Sequence, residues 1–301
     1  FLNAMTYPDK TVYPIASCNE QDYHNLMHVY LDAVFHPNIY KRDEILKQEG
    51  WHYELENAEA PLKLNGVVYN EMKGAFSSPE EVLDREVFNS LFPDTPYGVE
   101  SGGDPNVIPE LSYSEFLEFH KRYYHPVNSY IYLYGNMDME EKLNWIDENY
   151  LSHFEKIEVD SEVRLQKPFA ERKEEYGFYS VTEGEDTEGK AYFSYNTVCG
   201  DGLDRNLYRA FPVLSYVLVQ SIGAPLKQAL LDAGIGNDIS CYYEESVRQP
   251  FFSIIAKNAN LEQKEEFLSI VERTLSEIVK KGMDTKALEA GINYHEFRYR
   301  K

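Results

Sequence analysis

The stretch GVVYNEMKG, residues 66–74, places a carboxylate beside an apolar run. A helix predicted over residues 66–76 would bury Val67, Val68 and Met72 along one side and leave Glu71 at the edge of that side. Burying an unpaired charge costs several kcal/mol, so a carboxylate in this position needs a solvated surface, a cation partner or a metal ion. The stretch therefore predicts a helix. It leaves open which group, if any, interacts with the Glu71 carboxylate.

Besides a solvated surface group, two interpretations of Glu71 remain open from the residues alone. In the first, the carboxylate forms a structural ion pair with Lys63, Lys73 or Arg85. In the second, it is a ligand whose partners lie elsewhere. Composition alone favours the ion pair, since structural ion pairs also place acidic side chains beside apolar ones.

Around this stretch, short runs of aromatic and β-branched residues alternate with amphipathic segments. The pattern predicts a strand–turn–strand unit over residues 2–17 and a buried strand at SYIYLYGN, residues 129–136. Ser112 and Glu115 have capping-box spacing, which predicts the start of a helix. Further helices are predicted over residues 23–35, with Asp22 as its cap, 42–50, 79–92 and 140–154.

A charged, proline-containing stretch at residues 156–175 predicts a linker. We therefore predict a first domain over residues 1–155 and a second over residues 176–301. The second half repeats the order of the first, with strands near residues 175–181 and 191–196 and helices over 206–221 and 262–281, the last ended by Gly282. Both halves mix antiparallel-type strands with flanking helices, which indicates an α+β fold and is compatible with a duplicated one.

Composition excludes several classes of function. The 301 residues include 51 acidic and 29 basic side chains, a net charge of −22, which argues against a nucleic-acid partner. No apolar run reaches the ~18–20 residues of a membrane helix, so no membrane partner is expected. Cys18, Cys199 and Cys241 are isolated, which predicts reduced thiols and a cytoplasmic location. The opening FLNAMTYPDK carries no targeting signal and begins inside a strand-like run, so we expect a piece of a longer polypeptide.

Other motifs in the sequence give little support for a catalytic or phosphate-binding site. HNLMH, residues 24–28, has the spacing of two zinc ligands, but Asn25 stands where an HExxH motif has its general base. His24 and His28 are therefore predicted to be ordinary surface or interface histidines. The glycine clusters at residues 102–105 and 234–238 lack the spacing of a phosphate-binding loop, and no nucleophile elbow is present.

Several longer stretches follow one another in the order, and near the spacing, of a known family. They are LNAMTYPDKTVYPIAS, YLDAVFHP, QEGWHYEL, GVVYNEMKG, YGVESGGDP and EFHKRYYHPVNSYIYLYGN. This run resembles the pitrilysin/insulinase-type zinc peptidases (peptidase family M16), in particular their presequence-protease-like branch. A weaker likeness continues in IGAPLKQALLDAGIG. The resemblance implies two successive pitrilysin-type domains of mostly antiparallel sheets packed with helices, the first incomplete at its N-terminus and the second also incomplete.

The resemblance also implies a zinc site. The family's H-x-x-E-H helix supplies two histidine ligands and a general base, and a downstream glutamate completes the His₂Glu set. Glu71 stands at the position of that downstream glutamate. No H-x-x-E-H occurs in residues 1–301, so both histidines and the base are expected upstream of Phe1.

Asn3 and Ala4 match a sheet edge that, in the family, binds peptide substrates as an added strand. The resemblance therefore implies a segment of a zinc-dependent metalloendopeptidase for short or unfolded peptides. Its partners would be those peptides and the remaining domains of the same polypeptide, and the isolated segment is expected to be inactive. The alternative is a non-catalytic scaffold or peptide-binding protein with the same fold.

Overall fold

The computed structural model describes residues 1–300, which form two compact units. The first unit comprises Phe1–Phe76 and Glu100–Val163, and the second comprises Ser77–Val99 and the chain from Arg164 onward. The domain limits predicted from the sequence differ from this division by assigning residues 77–99 to the first part. Those limits follow chain order rather than contacts, and they stay a prediction.

Helices occupy much of the described chain, and most begin at a recognisable cap. Ser112 accepts a hydrogen bond from the Glu115 amide in the predicted capping box, and Pro79 opens its helix as predicted. The first helix starts earlier than predicted, because Asn19 and not Asp22 is its cap. In chain order the helices are α1 (Glu20–Phe35), α2 (Val67–Ala75), α3 (Pro79–Leu91), α4 (Tyr113–Tyr123), α5 (Met139–Asn149), α6 (Arg205–Ser215), α7 (Pro225–Asp232), α8 (Lys264–Lys281) and α9 (Thr285–Tyr299).

The strands form two short ribbons and one larger sheet, all antiparallel. The first unit contains both ribbons, and the second unit contains a three-stranded sheet of order β5-β7-β6. The strands are β1 (Met5–Thr6), β2 (Thr11–Val12), β3 (His52–Glu54), β4 (Lys63–Asn65), β5 (Ala191–Val198), β6 (Asp238–Glu244) and β7 (Phe251–Ala259). Antiparallel sheets packed with helices confirm the predicted α+β class.

The second unit has a continuous apolar core. Its central strand β7 is buried along most of its length, and Leu226 and Leu230 of α7 and Phe267 of α8 pack into the same cluster. Gly282, at φ +84°, ends α8 as predicted, since that backbone conformation favours glycine. No element was predicted after Gly282, where α9 is capped by Asp284.

Two strand predictions are wrong for this chain. Residues 129–136 and 175–181 belong to no strand, and Tyr130, Tyr132 and Phe178 are exposed. Each run has the side-chain alternation of a strand, but within residues 1–300 no second strand lies beside it to form backbone hydrogen bonds.

None of the helices among these residues combines the length and the hydropathy that a bilayer crossing requires.

Candidate functional site

The helix that carries Glu71 begins at a position that only glycine fits. Gly66 has φ +149° and is buried, and a Cβ built there would lie 2.2 Å from the Gly50 carbonyl oxygen. Asn65 Oδ1 accepts hydrogen bonds from the Gly66 amide at 2.8 Å and from Asn70 Nδ2 at 2.6 Å. These contacts hold the start of α2 beside β4. Neither Gly66 nor Asn65 was predicted from the sequence, although a glycine just before an apolar helix is a signal for such a close approach.

Glu71 lies on α2 with its carboxylate exposed. Within residues 1–300 its carboxylate makes no hydrogen bond and no ion pair, while Lys63 pairs with Glu56 at 2.8 Å. The ion-pair interpretation is therefore wrong for the described chain. The predicted burial of Val67 and Val68 is also wrong, since they are 55% and 37% exposed, whereas Met72 is half-buried against Gly102.

The chain's own side chains do not make a zinc site. No group of three His, Cys, Asp or Glu side chains among residues 1–300 is placed to hold a metal ion. A structural zinc site needs four protein ligands and a catalytic site needs three. Glu71 alone supplies one carboxylate, so any zinc bound here requires ligands from outside this chain.

The predicted substrate residues, Asn3 and Ala4, lie just before β1 in the first unit and continue its antiparallel register. The Asn3 amide donates to the Pro14 carbonyl at 3.1 Å, and the Phe1 and Ala16 main chains exchange hydrogen bonds in the same register. Odd-numbered residues of this strand therefore bond to β2 and the residues after it, and the main-chain groups of Ala4 point away. The Ala4 amide instead donates to Asn3 Oδ1 at 2.9 Å. Both residues are exposed, and their role in binding substrate stays a prediction.

The ribbon that contains this edge is anchored by an aromatic side chain. Tyr13, just after β2, packs edge-on against Tyr30 of α1 and Tyr124 at the end of α4, with ring centroids 6.2 and 6.5 Å away. Its hydroxyl donates to that of Tyr124 at 3.1 Å. Burial, reinforced by this hydrogen bond, raises the pKa of Tyr13 above its ordinary value, so the hydroxyl stays neutral.

The two histidines of HNLMH have structural partners. His28 Nδ1 lies 2.7 Å from the Tyr150 hydroxyl, and the His24 ring packs edge-on against Trp145 at 4.6 Å between centroids. Both contacts join α1 to the segment that contains α5. These contacts agree with their interpretation as ordinary surface or interface histidines.

Comparison with known proteins gives the class to which this fold and these residues belong. The family described as "Peptidase M16 inactive domain" matches residues 110–294, more than half of the chain. The chain therefore belongs to the peptidase M16 family, which confirms the resemblance drawn from the sequence motifs.

Curated relatives extend the match to the whole chain. It is 55% identical over 300 residues to "Protein HypA" of Clostridium perfringens, covering 100% of this chain and 31% of that protein. It is 38% identical over 304 residues to "Presequence protease 1, chloroplastic/mitochondrial" of Arabidopsis thaliana, covering 100% of this chain and 28% of that protein. The chain thus spans less than a third of the length of these relatives.

Solved structures support the fold alone. The chain matches a peptidase M16 inactive domain from Pseudomonas fluorescens with a TM-score of 0.66, covering 100% of this chain and 67% of the other. It matches an M16-like peptidase from Alicyclobacillus acidocaldarius with a TM-score of 0.64, covering 99% and 65%. Sequence identity is 16% in both cases, so the shared feature is the M16 fold.

Proposed function

We propose that this chain is a segment of a zinc-dependent metalloendopeptidase that hydrolyses short or unfolded peptides. The observation that carries the proposal is the Glu71 carboxylate, exposed on α2 and without a partner in the described chain. Because this carboxylate is exposed, its position costs no desolvation energy, and it is free to bind a metal ion whose other ligands come from elsewhere. Relatives named presequence proteases give the same class of reaction.

In this proposal Glu71 supplies one of the three protein ligands of a zinc ion. The other two ligands and the general base come from parts of the longer polypeptide outside residues 1–301. When bound, zinc would activate a water molecule for attack on a peptide bond. The role of this chain is to hold the carboxylate in place, which Gly66 and Asn65 do by fixing the start of α2.

Asn3 and Ala4 would receive the peptide substrate. A peptide that adds itself as a further strand would bind the outward main-chain groups of Ala4, and its carbonyl would replace Asn3 Oδ1 as the acceptor of the Ala4 amide. Such binding depends on main-chain hydrogen bonds and not on particular side chains, so it suits extended, unfolded peptides. Folded proteins, whose strands are already paired, would bind poorly.

The second candidate is a non-catalytic scaffold or peptide-binding protein. It is favoured by the description of the matching family as an inactive domain, over residues 110–294. That range contains none of the proposed site residues Asn3, Ala4 and Glu71. The two candidates differ in whether the longer polypeptide binds zinc through Glu71.

The test uses the full-length parent protein carrying Glu71→Gln, with Glu118→Gln as the matched control. Glu118 is also exposed on a helix and makes no ion pair among residues 1–300. We expect Glu71→Gln to lose stoichiometric zinc by metal analysis and to lose hydrolysis of an unstructured peptide, while the control keeps both. Stoichiometric zinc in Glu71→Gln would remove Glu71 from the site. A parent that binds no zinc at all would favour the scaffold.

A second assay compares the 301-residue chain with the parent on the same peptide with zinc added. Since the chain lacks all but one of the proposed ligands, we expect activity only in the parent. Equal activity of the two proteins would contradict the proposal.

We also propose the cytoplasm as the location of the parent. The support is the state of Cys18, Cys199 and Cys241, which are free thiols in the structure. Cell fractionation followed by immunodetection tests this, and recovery of the parent from an organelle or the medium would contradict it.

A further inference from the structure

Tyr13 lies directly opposite Ala4, one of the two residues proposed to receive the peptide substrate. In the antiparallel pair of β1 and β2, Met5 is opposite Val12, and the same register places the preceding residue, Ala4, opposite Tyr13. Residues that face each other across two strands extend their side chains to the same face and contact each other. The position of Tyr13 therefore influences the position of Ala4.

Backbone pairing alone holds this part of the ribbon loosely. The Asn3 amide donates to the Pro14 carbonyl at 3.1 Å, but proline has no amide proton to return to Asn3. A regular hydrogen-bonded pair at this position would exchange two hydrogen bonds. Because a two-stranded ribbon is also only marginally stable in water, residues 3 and 4 depend on tertiary contacts for their position.

The Tyr13 side chain makes those tertiary contacts. Its half-buried ring packs against Tyr30 of α1 and Tyr124 at the end of α4. Its hydroxyl donates to the Tyr124 hydroxyl at 3.1 Å, across 111 positions of the chain. One residue thus joins the strand opposite Ala4 to two helices of the first unit.

Tyr124, the acceptor in this hydrogen bond, is itself held in place by His120 one helical turn earlier. The His120 ring stacks on the Tyr124 ring with centroids 4.6 Å apart. His120 Nε2 lies 2.9 Å from the Val34 carbonyl oxygen of α1, and Nδ1 lies 2.8 Å from the Tyr40 hydroxyl. Since both ring nitrogens have partners, the imidazole plane is fixed, and the Tyr124 ring that stacks on it is fixed as well.

We propose that Tyr13 and Tyr124 are positioning residues for the peptide substrate. Their hydroxyl–hydroxyl bond holds the ribbon so that the outward main-chain groups of Ala4 are presented in one register to an added strand. A ribbon without this bond would have to be ordered when the peptide binds, and that ordering weakens binding. This inference rests on the proposed function, since it takes the edge at Ala4 as the substrate site.

Kinetics of the full-length parent on an unstructured peptide test the proposal. Tyr13→Phe and Tyr124→Phe each remove one hydroxyl and keep the ring. We expect each variant to raise KM roughly 3- to 10-fold, as for loss of one neutral hydrogen bond, with kcat and zinc content unchanged. The double variant should raise KM no further than either single variant, because both substitutions break the same bond.

Tyr30→Phe is the matched control. The Tyr30 ring also packs on Tyr13, but its hydroxyl makes no hydrogen bond among residues 1–300, so KM should stay unchanged. An unchanged KM in Tyr13→Phe or in Tyr124→Phe would overturn the proposal, and so would an equal rise in the control. A fall in kcat together with loss of zinc would also overturn it, because a general structural role would then explain the effect.

Hydrogen exchange separates failure of this proposal from failure of the proposed function. In the 301-residue chain, with millisecond labelling and mass spectrometry, the amides of residues 2–7 should exchange roughly 3- to 10-fold faster in Tyr124→Phe. Tyr30→Phe should leave their exchange unchanged. Equal exchange in both variants and the unsubstituted chain would overturn the anchoring by Tyr124, whether or not the parent is active. A parent that hydrolyses no peptide would reject the proposed function and with it the substrate role of both tyrosines, while faster exchange would still establish the anchor.

Discussion

The two units of this chain differ in how far their strands are paired and buried. In the second unit a three-stranded sheet buries its central strand, and Ile254 and Ala256 of β7 are almost fully enclosed by helices. In the first unit the strands are two-stranded ribbons, and the run SYIYLYGN, residues 129–136, pairs with no strand among residues 1–300. Both regions have strand-like sequences, so the difference lies in whether a partner strand is present in the described chain.

The contrast shows that a strand-like sequence forms a β-strand only where a second strand is present to pair with its backbone. The pattern of SYIYLYGN is as strong as that of FFSIIAKN, but only the second run has strands on both sides. A two-stranded ribbon is marginally stable in water, whereas three strands with a covered face form an independent core. The second unit should therefore be the more stable of the two in the isolated chain.

The difference between the units can be measured because each has its own reporter. Both tryptophans, Trp51 and Trp145, lie in the first unit, so intrinsic fluorescence follows that unit. The buried thiols of Cys199 and Cys241 lie in the second unit, and burial raises the pKa of each to about 11. Reaction of these thiols with a thiol reagent therefore follows the opening of the second unit.

The largest effect is expected from Leu230→Ala in the core of the second unit. Leu230 of α7 is fully buried, and its truncation leaves a cavity that should cost about 2–5 kcal/mol of unfolding free energy. In urea titrations, thiol exposure should move to lower urea while the tryptophan transition stays in place. Leu231→Ala is the control, because that neighbour is 38% exposed and should cost less than about 1 kcal/mol. Equal movement of both transitions would show that the units unfold together and would break the comparison.

A smaller effect is expected from Gly66→Ala in the first unit. The substitution forces alanine to φ +149° and brings its Cβ against the Gly50 carbonyl, so it should destabilise this unit by about 1–3 kcal/mol. The tryptophan transition should shift and the thiol transition should not. Gly74→Ala is the matched control in the same helix, because a Cβ there meets no atom within 4 Å. That control should be neutral or stabilising, by up to about 1 kcal/mol. If Gly74→Ala lowered the unfolding free energy as much as Gly66→Ala, the close approach of the backbone at Gly66 would not be what positions α2.

The smallest effect concerns pH and an ion pair of the second unit. Lys257 donates to Glu80 Oε1 at 3.1 Å and holds the pKa of Glu80 below its ordinary value of 4.5. A carboxylate with a lowered folded-state pKa adds stability above pH 4.5 that is lost as the pH falls below it. Because both side chains are partly exposed, the contribution should be a few tenths of a kcal/mol.

Glu80→Gln should therefore lower the thiol-exposure midpoint slightly at pH 7 and leave it unchanged near pH 3. Glu81→Gln is the control, since Glu81 forms no ion pair among residues 1–300. An unchanged midpoint at pH 7 in Glu80→Gln would show that the pair contributes nothing to the stability of this unit.

Local signals in the sequence predicted many of the element boundaries. The Ser112–Glu115 capping box, the proline that opens α3 and the glycine that ends α8 were all found, because each depends on neighbouring residues only. The error at α1 is of the same local kind, since Asn19 and Asp22 are both good caps and only the backbone decides between them. The order and spacing of the motifs likewise indicated the M16 family, because both are properties of the chain itself.

The candidate site was predicted only in part. The sequence placed Glu71 on a helix, which holds for the described chain, and Asn3 on a strand, whereas Asn3 lies just before β1 with one main-chain hydrogen bond to Pro14. It could not show that Glu71 has no ion pair, because Lys63 is close in sequence but turns to Glu56. Nor could it reveal the self-contact between Asn3 Oδ1 and the Ala4 amide, which depends on a side-chain rotamer.

The sequence by itself determined the fold class, the family and the capped or punctuated ends of several helices, such as α3, α4 and α8. These follow from short-range chemistry such as caps, prolines, glycines and motif order. Only the tertiary structure decided which strand-like runs become strands and whether the carboxylate of GVVYNEMKG has a partner. The physical reason is that backbone pairing and charge pairing each need a second group, and the position of that group is set by long-range contacts.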